Sequence, residues 1–273
     1  MATLPIKPEE QQAWSGYIHQ LSGVVLDASK AYLFETRLAP LLLRYDCPGY
    51  LELLARSRRD RVCRDEVIDA MTTHETSFFR DGTPFQMIEK HFLAEFLSRR
   101  GGRPLRLWCA AASTGQEPYS LSFILHEHYP EVMGCDFLAS DISEPALRFA
   151  EAGIYSDFEV RRGVPPEHLA RYFEHTPEKR WSVRRKFRQP LSWRQINLME
   201  NFVPQVAPRD LILCRNVAIY FSDADRRVLY DRLAESLAPG GMLLLSATES
   251  TLGYSNRFTS EEWQGVRFHR RKD

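Results

Sequence analysis

From Pro8 to Thr73 the apolar positions recur at helical spacing, clearly so in "AYLFETRLAPLLLRY" and "CRDEVIDAMTT", and this predicts helices with no clear strand. From Leu105 the pattern changes. Four short apolar runs, "LRLWCA", "GCDFLAS", "DLILCRNV" and "GMLLLSA", each lead through a small-residue turn into a helical stretch. That is the rhythm of a parallel sheet with crossover helices. Between the second and third runs lies an Arg-rich region, Tyr155 to Asn197, whose second half, "KRWSVRRKFRQPLSWRQINL", alternates and predicts a small antiparallel insert on the sheet. The "APGG" at Ala238 to Gly241 predicts a helix end turning sharply into the next strand. No internal repeat interrupts this order.

A length of 273 residues suits one or two domains with a substantial core. Lys plus Arg and Asp plus Glu balance at 36 each, so net charge selects neither nucleic acid nor an anionic membrane as partner. The first residues show no basic segment followed by an apolar run, and no apolar stretch reaches about 18 residues. A soluble, unexported, cytoplasmic protein with no membrane insertion is expected. The five cysteines, Cys47, Cys63, Cys109, Cys135 and Cys214, lack C-x-x-C spacing, which argues against a disulfide framework or a zinc site. No metal is expected.

Two turns carry candidate chemistry. After "LRLWCA" come Ala111, Ala112, Ser113, Thr114 and Gly115 and then a helix, a turn whose small side chains let a ligand approach backbone N–H groups. A tight strand-to-helix turn without a ligand fits the same residues. The second run ends in Asp141, the place of an acid that binds ribose hydroxyls in doubly wound folds, or of one that caps the following helix. Both together favour a nucleoside cofactor. The turn lacks G-x-G-x-x-G, so a pyrophosphate site and a nicotinamide dinucleotide fit poorly, and an adenosyl cofactor fits better. In "LILCRNVAIYF", Leu211 to Phe221, Arg215 and Asn216 stand at the far end of a buried strand. Burying them unpartnered costs about 1–3 kcal/mol or more, so they either find partners or serve a ligand.

"MTTHETSFFRD" (Met71 to Asp81), "WCAAASTGQEPYSL" (Trp108 to Leu121), "ASDISEPALRFAEAGIY" (Ala139 to Tyr155), "INL" (Ile196 to Leu198), "LILCRNVAIYF" and "LAPGGMLLLSATES" together resemble the CheR family of chemotaxis receptor methyltransferases. The blocks follow the family's order and span almost the whole chain. The resemblance implies an α/β fold: an all-α N-terminal domain (1–82) that contacts the receptor, then a Rossmann-like S-adenosylmethionine (SAM) methyltransferase domain (83–273) with a small antiparallel β-subdomain inserted at about 156–195. It implies methyl transfer to glutamates on the cytoplasmic helices of chemoreceptors, giving methyl esters and S-adenosylhomocysteine (SAH). Carried over by position, His74, Thr76, Ser77, Arg80, Glu117, Asp141, Asn197, Leu198, Arg215 and Asn216 are implied around the cofactor, with Arg80 and Tyr220 as catalytic residues. Other readings of single residues stay open: Arg80 as a structural partner of Asp81 or Glu75, Tyr220 as core, and "SFF" as packing between the two domains.

A glutamate carboxylate, with a reference pKa of about 4.3, is already ionised at neutral pH and needs no general base. Catalysis then rests on positioning, and Arg80 and Tyr220 are the candidates to align the carboxylate oxygen. The chain departs from the family at His74, where Asn is common, and at Gln116, where Glu is common. A histidine there makes pH-sensitive binding an expectation. Some members dock on a receptor C-terminal pentapeptide through a longer, Gly-containing hairpin; "FEHTPEKRWSVRRKFRQP" is short and has no Gly, so a tether-independent enzyme is expected. Lys30, Arg37, Arg44 and "RSRRDRVCR" offer a basic N-terminal face to acidic receptor helices, Arg37 and Arg44 lying two helical turns apart. The alternatives are a carboxyl methyltransferase for a non-motility signalling array and a catalytically silent SAM-binding regulator. A monomer is expected.

Overall fold

The computed structural model describes residues 4–99, 101–128, 134–206 and 208–272. The helical pattern at the start resolves into α1 (Pro8–Ser22), α2 (Ala31–Arg44), α3 (Tyr50–Arg59) and α4 (Arg61–Met71). Their apolar stripes close on each other, with Trp14, Phe34, Leu38, Tyr50, Leu53 and Val67 fully buried. Polar residues set the boundaries: the Asp60 carboxylate accepts from the N–H groups of Val62 (2.9 Å) and Cys63 (3.3 Å) and so starts α4. Helix α1 stops at Gly23, which has φ of 76° and sits against Met199 and Phe221; a Cβ there would lie 3.1 Å from the Phe221 ring. The helical unit is thereby pressed onto the rest of the chain.

Helices α5 (Thr83–Met87) and α6 (Leu93–Arg99), joined by a π turn at Ile88–Phe92, precede a large sheet. The strands in chain order are β1 (Arg106–Cys109), β2 (Asp136–Asp141), β3 (Ile154–Tyr155), β4 (Phe173–His175) and β5 (Trp181–Val183). They continue with β6 (Leu191–Gln195), β7 (Arg209–Leu213), β8 (Leu237–Leu244), β9 (Phe258–Trp263) and β10 (Val266–Arg271). Among the described residues the large sheet has the order β6-β2-β1-β7-β8-β10-β9, parallel up to β8 and antiparallel beyond it. Its parallel strands read as continuous apolar runs because both faces are covered. Leu107, Phe137, Leu211 and Leu213 face one core, whereas Trp108, Leu138, Ile212 and Cys214 face the other. Helix α7 (Gln116–His128) follows β1, and α8 (Glu144–Ala152) follows β2. The strand order reverses between β1 and β7, so a crevice opens at their carboxyl ends.

The insert differs from its expected extent. A three-stranded antiparallel sheet forms from β3, β5 and β4, but Leu191–Gln195 leaves it and pairs in parallel with β2 at the edge of the large sheet. An edge strand with one face in solvent alternates whichever way it pairs, so alternation reported burial and not direction. The "APGG" segment also departs from expectation. The preceding helix, Asp223–Ser236, runs straight into β8, and Ala238–Gly241 form a bulge within that strand, where the pairing moves from Arg209↔Leu237 to Leu211↔Met242. The hairpin of β9 and β10 was not foreseen; its turn residues Gln264 and Gly265 have φ of 47° and 82°. No helix among the described residues is long and apolar enough to cross a membrane. The cysteines are free thiols.

Candidate active site

The turn after β1 sits at the switch point. Its Ala112 N–H donates to the Ser140 carbonyl (2.8 Å), and Ser113, at φ of 50°, donates its N–H to Asp141 Oδ2 (2.8 Å). The other Asp141 oxygen accepts from the Ser143 N–H (3.0 Å), so this acid braces both turns, while the cap of α8 is Ser143 itself, whose hydroxyl accepts from the Ala146 N–H (3.1 Å). Burial raises the Asp141 carboxyl above its ordinary value, against the pull of those N–H groups and of His74. Gly115 serves packing and does not line the crevice. With φ of 96°, a Cβ on it would lie 2.8 Å from Ala150 Cβ and 2.9 Å from Tyr155 Oη.

The polar end of β7 finds partners. Arg215, with a side chain 1% exposed, donates to Glu117 Oε2 (2.6 Å) in the first turn of α7, to Asp81 Oδ2 (2.6 Å) and to the Arg80 carbonyl (3.2 Å). Its Nε–H has no partner among the described residues. Burial raises the Glu117 carboxyl, opposed by Arg215. Asn216 follows with φ of 58°, a left-handed geometry that Asn tolerates better than most residues. It lies on the wall of the crevice beside Arg215.

The loop between the helical unit and α5 passes over the crevice. Arg80 donates Nη1–H to the Glu75 carbonyl (2.8 Å) and leaves Asp81 to Arg215. His74 Nε2 lies 3.3 Å from Asp69 Oδ1 and 3.2 Å from Thr72 Oγ1, and its carbonyl accepts from the Ser113 hydroxyl (3.1 Å). Burial pulls the His74 imidazole down, but the hydrogen bond it donates to Asp69 and the charges of Asp141 and Asp69 outweigh it and raise its pKa. Phe78 is buried against Phe123, Tyr155 and Phe173, so "SFF" anchors the loop in the core of the insert instead of packing the helical unit on the sheet.

The resulting cleft stands open to solvent at the switch point. Of the residues singled out in the sequence, His74, Thr76, Arg80, Glu117, Asp141, Asn197, Leu198, Arg215, Asn216 and Tyr220 line it, and Ser77 does not. Asn197 lines it with its amide already occupied: Nδ2 donates to the Leu21 carbonyl (2.8 Å), and Oδ1 accepts from the Met199 N–H (3.0 Å). Sequence reasoning missed Ser22 and Val24, which reach the cleft from the end of α1, and Ile142 and Ile196, which form apolar wall. Nothing in their local pattern marks them, because the chain folding back brings them there. It also missed Glu249, an acid in "LLLSATES" that is buried and holds the turn after β7.

The N-terminal basic face is only partly free. Arg37 donates Nη1–H to the carbonyls of Met71 (3.2 Å) and Thr72 (3.1 Å), bracing the end of α4 that leads into His74. Arg44 reaches Glu66 (3.1 Å), Arg61 reaches Asp65 (3.5 Å), and Arg58 lies over the Tyr17 ring.

The sequence matches the family described as CheR methyltransferase, SAM binding domain over residues 74–266, and CheR methyltransferase, all-alpha domain over residues 9–72. It is 35% identical over 264 residues to a protein from Vibrio anguillarum named chemotaxis protein methyltransferase, covering 94% of this chain and 95% of that one. It is 37% identical over 240 residues to chemotaxis protein methyltransferase 1 of Pseudomonas aeruginosa, covering 86% of this chain and 87% of that one.

Proposed function

The chain belongs to the CheR family of SAM-dependent methyltransferases, and we propose that it methylates glutamate side chains on the cytoplasmic helices of chemoreceptors, releasing SAH and a glutamate methyl ester. The observation that carries the reading is the meeting of two acids with Arg80, Arg215, Asn216 and Tyr220 in one cleft at the strand switch point. This set fits SAM. The Asp141 carboxylate suits ribose hydroxyls, Glu117 suits an ammonium, the orphaned Arg215 Nε–H is a donor awaiting an acceptor, and Leu198, Ile196 and Ile142 offer an apolar wall for an adenine.

When bound, SAM supplies an electrophilic methyl group on a sulfonium. The chain's own residues have a narrower task, since the acceptor carboxylate arrives ionised. Arg80 and Tyr220 line the cleft from different elements, the loop before α5 and the turn after β7, which supports assigning them to align the carboxylate oxygen. They should align it without trapping it, because the nucleophile loses charge as transfer proceeds and a tight ground-state ion pair raises the barrier. The bond from Arg80 to the Glu75 carbonyl serves this by fixing the guanidinium before the acceptor arrives.

The turn of the β4–β5 hairpin, Thr176 to Arg180, closes on itself through the Thr176 N–H to Arg180 carbonyl bond (2.8 Å) and has no Gly. So short a hairpin favours action without a receptor pentapeptide tether. The test is methyl-labelled SAM incubated with receptor-containing membranes. Alkali-labile volatile label on a receptor-sized band, absent with Arg80→Ala, is expected. Calorimetric SAM binding with no transfer to carboxylates would overturn the proposed reaction.

A further inference from the structure

Glu249, in the turn after β8, is 7% exposed, and both of its carboxylate oxygens are taken by the polypeptide. Oε2 accepts from the Asn216 N–H (2.8 Å), the Ser246 N–H (3.0 Å) and the Ser246 hydroxyl (2.7 Å). Oε1 accepts from the N–H groups of Val217 (3.1 Å) and Ile219 (3.3 Å). The first of the three backbone donors in this turn, Asn216, has φ of 58°. Near-successive N–H groups in such a turn form a concavity that binds anions, and here the chain fills it with its own carboxylate. Asn tolerates this left-handed geometry, and the Glu249 bonds hold the backbone in it. The same turn puts Asn216 and Tyr220 on the cleft wall, and the Tyr220 carbonyl accepts from the Val25 N–H (2.9 Å), which joins it to the helical unit.

We infer that Glu249 is a positioning residue: it fixes Asn216 and Tyr220 against the cleft through backbone bonds and itself lies outside the cleft lining. This deepens the methyltransferase reading and rests on it. Glu249→Gln puts an N–H₂ donor where the carboxylate accepted, facing N–H groups. Hydrogen exchange at the amides of Asn216, Val217 and Ile219 should rise by about tenfold or more, while that of β1 and β2 stays unchanged. The value of kcat should fall about tenfold in the wild-type background and no more than about threefold in Tyr220→Phe, since coupled residues are not additive. Glu249→Asp keeps the charge and withdraws it by one methylene; it should fall between wild type and Gln, and it carries both readouts if the Gln variant does not fold. Unchanged exchange, or equal kcat losses in the two backgrounds, overturns the inference. A wild type that binds SAM yet methylates no carboxylate removes the reaction reading alone, and exchange at the three amides then decides whether Glu249 anchors the turn.

Discussion

Arg80 and Arg215 bring the same side chain to one cleft and end in different conditions. Arg215 is buried between Glu117 and Asp81, so its charge is matched by the fold, whereas Arg80, among the described residues, hydrogen-bonds through its side chain to a carbonyl and keeps N–H groups for a ligand. Arg80→Ala is therefore expected to cut methyl transfer by about 100-fold or more, the loss of a charge-assisted bond worth up to about 3 kcal/mol, measured as kcat/KM. Tyr220→Phe removes a hydroxyl that only aligns: kcat should drop about tenfold with SAM affinity unchanged by calorimetry, and lost affinity would contradict the division of roles. His74 gives a pH signature. Its pKa is raised above the ordinary 6.5, so the stability it adds is fully present below about pH 6.5 and is lost as pH rises through the raised value. Thermal melts should show wild type ahead of His74→Asn by more at pH 6 than at pH 8.5; a constant gap would mean that the imidazole titrates alike in the folded and unfolded chain, and a gap that shrinks at pH 6 would mean that the fold holds it neutral.

At the scale of elements, turns carry the site and strands aim them. Gly115→Ala is expected to destabilise by about 3 kcal/mol, from a forced left-handed alanine and overpacking against Ala150 and Tyr155, read as a lower urea midpoint with unchanged slope. The helical run to Met71 and four of the five parallel strands were legible because each obeys one period and is buried as that period requires. Three features were not. The pairing direction of β6 depends on which neighbour it meets, the bulge at Ala238–Gly241 depends on registry with β7, and the β9–β10 hairpin turns on Gln264–Gly265, a weaker signal than Asn-Gly. The first two are set by partners distant in sequence, and the third by a turn whose residues signal it weakly.

On the scale of the whole molecule, the cleft exists where the helical unit meets the carboxyl ends of the sheet, under a loop that the insert anchors. Val25 and Leu21 from the first unit bond to Tyr220 and Asn197 of the second, His19 pairs with Asp225 at 2.8 Å, and Phe78 plugs the loop into the insert. This is why Ser22 and Val24 were not visible in the sequence, since only the assembled fold brings them to the cleft, while Glu249 stood inside a quoted block with nothing local to mark its backbone partners. With so short a β4–β5 hairpin, removing the C-terminal tail of a receptor should change its methylation rate by less than about twofold; a fall of the order of 100-fold, the scale at which linking two sites begins to act, would restore the tether. The most direct measurement is a peptide mass map of a receptor cytoplasmic fragment after incubation with the protein and SAM. The account predicts a single methylene increment on glutamates of helical peptides, removed by alkali and absent with Arg80→Ala. An increment on lysine, arginine or a cysteine, stable to alkali, would contradict it.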